Sequence, residues 1–262
     1  MIEQIVQQAP YFLLVAVRIF AMILTSPLLS TNTVNRAAKV ALAGYTAFLV
    51  LPTVSFEGWN VEPYNITYLL LVIGEGLIGV ISGFYLSLLF ATFSSAGQFF
   101  TYQMGFGASE VYDTLNQVEN PLMGQFLNLV AMFLFLNING FQLLFTTGVI
   151  KSFECINCFT LLNAQEEFLS FLLAGLTKLF LNAIMIALPI TGTLFLISVG
   201  TGLLSKAAPQ MNLLSEGLPI TILCAFGLLV VLLDPMSNYF VDTIETAFNQ
   251  LVDLFLKVGR AI

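Results

Sequence analysis

Long stretches without a charged side chain constrain the fold of this chain more than any other feature. No Asp, Glu, Lys or Arg occurs in residues 76–109, 120–150 or 179–205. Each stretch is longer than the roughly 20 apolar residues that a helix needs to cross a bilayer core. Only 9% of the 262 residues are charged, whereas a soluble domain carries about 25%. The sequence therefore predicts an all-α integral membrane protein and argues against a soluble enzyme.

The composition also argues against several classes of function. The chain has no histidine, which is the commonest general base and a frequent ligand of zinc and haem. Its net charge of −7 and its scattered basic residues argue against nucleic-acid binding, which needs clustered Lys and Arg. No glycine-rich phosphate-binding motif is present. We therefore expect no enzymatic activity, no cofactor, no metal site and no nucleic-acid partner.

Apolar runs predict candidate spans at Tyr11–Leu29, Ala37–Val54, Thr67–Phe93, Leu122–Ile150, Phe168–Leu204 and Leu218–Leu233. The run 168–204 is too long for one simple span, so Pro189 predicts a kinked helix or a helical hairpin. Beyond Pro235, apolar residues recur with helical spacing, which predicts a surface or partner-packed amphipathic helix over residues 236–257. We expect one domain, 1–262, with a first part to about residue 150 and a second from about 151.

Ionisable residues inside the apolar runs are Arg18, Lys39, Glu75 and Lys178. A bare charge at the bilayer centre costs at least about 2.5–3.5 kcal/mol on insertion scales, so each one needs a partner or water. Two interpretations stay open, namely ion pairs inside a multi-subunit bundle and a pathway for protons or ions. Nearby, Gly79 and Gly83 have the spacing that lets two helices approach closely.

The polar segment 105–121 is the most unusual interruption of the apolar pattern. It begins with Gly105 and Gly107, contains three acidic residues and ends at Asn120-Pro121. A loop of this length between two apolar helices is more often functional than a plain connector. Another polar segment contains the C-x-x-C pair Cys155 and Cys158, but no histidine or second pair completes a metal site.

Motifs spread over nearly the whole chain carry a family resemblance. They are Arg18–Phe20, Ser26–Leu29, Asn35–Lys39, Gln103–Gly105, Gly124–Asn128, Asn139–Gly140, Gly202–Asn212 and Gly217–Ile220. Together they resemble the FliR family of flagellar and type III secretion export-gate proteins. The most specific of them is Gly202–Asn212, with the sequence GLLSKAAPQMN.

The resemblance implies an integral membrane export-gate subunit of long, kinked helices and helical hairpins, packed in a multi-subunit helical assembly. Such a subunit would form a pore with FliP and FliQ, with FlhB, FlhA and rod and junction proteins as further partners. Unfolded flagellar export substrates would pass through this pore. The implied location is the flagellar basal body in the bacterial inner membrane, in contact with lipid.

The resemblance also implies that residues 104–121 form a plug that closes the pore at rest. The candidate plug residues are Met104, Gly105, Phe106, Gly107, Ala108, Val111, Tyr112 and Asp113. Family members often carry aromatic residues and an Asp-Pro pair here, whereas this chain has Ala108, Val111 and Thr114 at those positions.

A second functional segment, the partner-contact loop, is predicted between two apolar runs. Its candidate residues are Lys206, Pro209, Gln210, Met211 and Asn212. The alternative from another class is a multi-span secondary transporter for a small solute, with Glu75 and Lys178 near a midplane site.

Overall fold

The structure is a computed structural model that describes residues 2–30, 34–54, 56, 65–105, 111–113, 118–207 and 217–260. Nearly all of these residues are helical, which confirms the all-α prediction. A small β-hairpin lies within the segment 105–121, which is predicted from the sequence to be a loop.

The first part of the chain contains α1 (Ile2–Thr25), α2 (Arg36–Val50) and α3 (Ile66–Thr101). The hairpin follows, with β1 (Val111–Asp113) antiparallel to β2 (Val118–Asn120). The remaining elements are α4 (Leu122–Asn137), α5 (Gly140–Leu143), a π-helix (Leu144–Lys151), α6 (Ser152–Cys155), α7 (Cys158–Asn163), α8 (Gln165–Ala207) and α9 (Leu218–Arg260).

Within the described residues, α1, α3, α8 and α9 are long and apolar enough to cross a membrane. The broken pair formed by α4 and residues 140–155 adds a fifth span if it counts as one. Helices α8 and α9 have 43 residues each. At about 1.5 Å per residue, each is about 65 Å long, roughly twice the thickness of a hydrocarbon core. Such helices cannot lie wholly within the core along the membrane normal.

The predicted span over Ala37–Val54 is wrong. Helix α2 begins where the Asn35 side chain accepts a hydrogen bond from the Ala37 amide at 3.1 Å, a typical N-cap. It ends after 15 residues, and a 3₁₀ turn containing Pro52 follows. Proline has no amide hydrogen to continue the helical hydrogen-bond ladder, which explains why α2 ends here. At 15 residues, α2 is shorter than the roughly 20 residues that a span needs.

The helical-hairpin alternative for residues 168–204 is also wrong, because α8 continues through Pro189 as one helix. Helix α9 likewise continues through Pro235 and joins the last candidate span to the predicted amphipathic segment. Ser and Thr side chains help apolar helices to accommodate proline by hydrogen-bonding backbone carbonyls.

The chain forms two compact units built from interleaved segments. The first unit comprises residues 1–88, 139–175 and 244–262, and the second comprises residues 89–138 and 176–243. Helices α3, α8 and α9 each contribute to both. The predicted division of one domain near residue 150 stays a prediction.

Aromatic side chains fill the interior of each unit. In the first, the Tyr85 ring packs on Phe171 with centroids 4.4 Å apart, and its hydroxyl donates to Gln250 at 3.0 Å. In the second, the rings of Phe93 and Phe240 lie 4.2 Å apart. The predicted apolar face of segment 236–257 is buried at Met236, Phe240, Ile244, Phe248 and Phe255.

Candidate functional site

A buried ion pair lies in the first unit, where α1 meets α3. The Nε atom of Arg18 donates to Oε2 of Glu75 at 2.6 Å, and Nη2 lies 2.5 Å from the same oxygen. Arg18 is 2% exposed and Glu75 is fully buried. Two of the four charges that lie in predicted apolar runs are thus brought together in the structure.

The segment between the π-helix and α7 completes this cluster. Nη1 of Arg18 donates to the Ser152 hydroxyl at 3.2 Å, and Nη2 donates to the Ile156 carbonyl at 3.0 Å. The guanidinium carbon lies 3.8 Å from the centroid of the Phe153 ring. The other carboxylate oxygen of Glu75 accepts the Cys158 amide at 3.1 Å. We call these residues, Arg18, Glu75, Ser152, Phe153, Ile156 and Cys158, the charge cluster.

Glycines on α3 explain how the two charges come so close. A Cβ atom on Gly79 would overlap the backbone carbonyl oxygen of Arg18, and one on Gly83 would overlap the Thr25 hydroxyl. A Cβ on Gly76 would lie 3.4 Å from Val17. These contacts confirm the predicted close packing at Gly79 and Gly83, which small residues permit.

The charge cluster is equipped to hold segments together rather than to perform chemistry. Both carboxylate oxygens of Glu75 accept hydrogen bonds, and the guanidinium donates to three different groups. A general acid or base needs a proton position facing a substrate, whereas here every polar atom faces the protein. No group of three potential metal ligands occurs among the described residues.

The two cysteines of the C-x-x-C motif are both free thiols. Burial, reinforced by the negative charge of Glu75, raises the pKa of Cys158 to about 12. The thiolate is the reactive form of cysteine, so this side chain is inert near neutral pH. The contribution of Cys158 to the charge cluster is its backbone amide, which a C-x-x-C motif does not indicate.

The two lysines of the predicted set lie in different environments. Lys39 is buried on α2, and its ammonium donates to the Ser30 carbonyl at 2.9 Å. Lys178 is exposed on α8, and no acidic side chain in the described part of the chain forms an ion pair with it. Residues 179–205 include no charged residue, so Lys178 lies directly before a long uncharged stretch of α8.

The start of the predicted plug is well defined in the second unit. Met104 is fully buried, and its amide donates to the Phe100 carbonyl at 2.9 Å. Gly105 has φ +87°, the left-handed conformation with which glycine commonly ends a helix. Val111, Tyr112 and Asp113 form β1. Phe106, Gly107 and Ala108 lie outside the described residues.

Helices α3 and α4 pack backbone to backbone next to the ends of this segment. A Cβ atom on Gly97 would lie 2.5 Å from backbone atoms of Met123 and Gly124. The Thr101 hydroxyl donates to the Gly97 carbonyl at 2.6 Å within α3. The segment 104–121 therefore leaves from and returns to a closely packed pair of helix ends.

The predicted partner-contact loop is described only at its start. Lys206 lies in the last turn of α8 and is exposed. Pro209, Gln210, Met211 and Asn212 lie outside the described residues.

An apolar groove in the second unit was not predicted from the sequence. It has a volume of about 590 Å³ and lies between the first halves of α4 and α9. Its walls include Phe126 and Leu129 of α4 and Phe226 and Val230 of α9, all exposed. An open apolar groove of this kind needs to be covered by lipid or by another helix.

Comparisons with known proteins give one consistent result. The model of the family "bacterial export proteins, family 1" matches residues 9–247. The chain is 29% identical over 256 residues to the flagellar biosynthetic protein FliR of Bacillus subtilis, covering 95% of this chain and 97% of that protein. It is 27% identical over 241 residues to FliR of Escherichia coli, covering 92% of this chain and 91% of that protein. FliR of Borreliella burgdorferi is 26% identical over 248 residues, which is 93% of this chain and 90% of that protein.

Proposed function

The chain belongs to the family of bacterial export proteins, family 1, and on this premise we propose that it is a structural subunit of the flagellar protein-export gate. The observation that carries the proposal is the end-to-end similarity to flagellar FliR proteins of about the same length. In this role the subunit binds and conducts unfolded flagellar export substrates without covalent chemistry. It acts in the bacterial inner membrane at the flagellar basal body.

The partners in this proposal are FliP and FliQ in the pore, FlhB and FlhA beside it, and rod and junction proteins above. The apolar groove and the exposed apolar side chains of α8 and α9 provide surface for neighbouring helices and for lipid. Exposed Lys178 supports the same idea. An ammonium within apolar surroundings costs at least about 2.5–3.5 kcal/mol, which a carboxylate on a partner helix would offset.

The hydrogen bonds of Glu75 argue against the transporter alternative. It requires Glu75 to face a solute near the membrane midplane, but this carboxylate is already bound to Arg18 and to the Cys158 amide. A proton or ion pathway along Glu75 would require the same oxygens. We therefore propose that Arg18 and Glu75 have a packing role and that Lys39 fixes the Ser30 turn.

The proposed plug is the segment 104–121, which closes the pore when no substrate is present. The closely packed helix ends at Gly97 and Gly124 support this proposal, because a plug needs a rigid base. Left-handed Gly105 supplies the turn by which the segment leaves α3. Phe106, Val111 and Tyr112 would supply apolar bulk that excludes water and ions, as apolar constrictions do in channels.

Co-expression tests the assembly. We expect this chain, expressed with FliP and FliQ of the same organism, to purify with both as one complex in detergent. The chain expressed alone should not transport small solutes in proteoliposomes. A chain that is stable and transport-competent alone, and that never co-purifies with FliP or FliQ, would contradict the export-gate proposal.

Deleting Ser109–Glu119 tests the plug. We expect the deletion complex to conduct ions in a planar bilayer under conditions in which the wild-type complex stays closed, because the apolar bulk of Val111 and Tyr112 is removed. Gel filtration of the same samples provides the control, since the deletion should leave the complex intact. Equal conductance of intact wild-type and deletion complexes would rule out a plug formed by residues 109–119.

A further inference from the structure

Helix α8 exposes one continuous, mostly apolar face in the second unit. Its buried side chains lie on the opposite side of the helix, at Leu179, Ala183, Ile186, Ile190 and Leu194. The exposed face consists of residues spaced alternately by three and four positions, namely Lys178, Leu181, Met185, Leu188, Gly192 and Phe195. We call these residues the α8 seam. Spacing of this kind places side chains in a row along which a second helix can pack.

The glycine within the seam leaves room for another backbone. A Cβ atom added to Gly192 would meet no heavy atom within 4 Å beyond its own helix backbone and chain neighbours. The missing side chain therefore serves no contact in the described part of the chain, although glycine weakens a helix interior. Lipid tails pack against large and small side chains alike, whereas two helix backbones approach closely only at small residues. Gly192 thus favours a protein helix over lipid as the partner of this face.

The charge at one end of the seam adds a chemical requirement. Lys178 is exposed, and no carboxylate among the described residues forms an ion pair with it. Exposed apolar side chains lie before and after it along α8, at Leu176, Phe180 and Leu181. Lys178 and Lys206 are the only charged residues from 168 to 207, so this part of α8 contains no acid. Because an unpaired ammonium is costly in a membrane, whatever covers the seam should carry a carboxylate.

We propose that the α8 seam is the docking site for one membrane-spanning helix of a partner subunit. The partner helix carries an aspartate or glutamate that pairs with Lys178, and its backbone lies close to Gly192. At about 1.5 Å per residue, the seam is about 25 Å long, which is most of the thickness of a hydrocarbon core. This inference rests on the proposed export-gate function, to which it adds the position and the chemistry of one subunit contact.

The first test measures how much complex is recovered in detergent when variants of this chain are expressed with FliP and FliQ. We expect Gly192→Leu to lower the recovery about tenfold, because the added side chain keeps the two backbones apart. Gly200→Leu is the matched control and should assemble like wild type, since Gly200 lies on α8 outside the seam and has equal space for a Cβ atom. The Gly192→Leu chain purified alone should be at least as stable as wild type, which separates lost assembly from misfolding.

The charge and the contact are tested in the same complex. Lys178→Met should also lower the recovery about tenfold, because the partner's carboxylate loses its counter-charge, whereas Lys178→Arg should assemble like wild type. Phe195→p-benzoylphenylalanine places a photo-crosslinker on the seam. We expect it to crosslink to FliP or FliQ in the intact complex.

The outcomes separate this inference from the function on which it rests. If the wild-type complex forms but the crosslinker at position 195 reaches neither protein, the seam faces lipid and the inference is wrong. Recovery of Gly192→Leu or Lys178→Met at the wild-type level would overturn it as well, and so would equal losses for Gly192→Leu and Gly200→Leu. If wild type itself never co-purifies with FliP or FliQ, the export-gate function fails and the inference fails with it.

Discussion

Replacing Glu75 with leucine is expected to destabilise the folded chain by about 3–5 kcal/mol, because Arg18 would keep a buried charge without its carboxylate. The Ser152 hydroxyl and the Ile156 carbonyl would remain as neutral acceptors, but neither balances the charge. Domains are stable by only about 5–15 kcal/mol in total, so a loss of this size should sharply reduce the folded fraction. The measurement is the free energy of unfolding of the purified chain in detergent.

The double variant Arg18→Met, Glu75→Leu is the matched control. It replaces both charged side chains with apolar ones of similar volume, a change that is often neutral or stabilising for buried ion pairs. We expect it to recover most of the stability that Glu75→Leu loses. If the single and double variants unfold alike, the ion pair does not account for the loss, and our interpretation of the charge cluster is wrong.

The broad architecture could be predicted from the sequence because its cause is local. Charge-free apolar runs indicate long helices, and the structure has α3, α8 and α9 in three of them. The run 120–150 is instead divided between α4, α5 and the π-helix. The four-residue spacing of Gly79 and Gly83 is also a local feature, and it predicts the close helix packing that the structure has there. Helix ends were harder to predict. Proline has a low helix propensity and usually ends a helix, but Pro189 and Pro235 lie inside long apolar helices that continue past them.

The charge cluster could be predicted only in part. Arg18 and Glu75 stood out because charges are costly in apolar segments, but their 57-residue separation along the chain hides the pairing. The Ile156 carbonyl and the Cys158 amide left no signal, because every residue except proline has both backbone groups. Lys178 resembled Arg18 in sequence context, yet it is exposed, since the side on which a helix packs depends on tertiary structure.

Replacing Gly97 with alanine is expected to destabilise the second unit by about 3 kcal/mol, the upper end of the usual overpacking cost. The new Cβ would lie 2.5 Å from Cα and N of Gly124 and from the carbonyl carbon of Met123. These are backbone atoms of α4, so the contact is relieved only if the two helices separate. Unfolding of the purified chain in detergent measures the loss.

The same substitution at Gly192 is the control, and there we expect the opposite sign. Gly192 lies inside α8, and a Cβ added to it would meet no heavy atom within 4 Å beyond its own helix backbone and chain neighbours. Alanine is favoured over glycine in a helix interior by about 1 kcal/mol, and Gly192→Ala should stabilise the chain by up to that amount. Helix propensity acts in the same direction at Gly97, so only the contact with α4 can reverse the sign there. A Gly97→Ala chain as stable as Gly192→Ala would show that α3 and α4 do not pack backbone to backbone at Gly97 and Gly124.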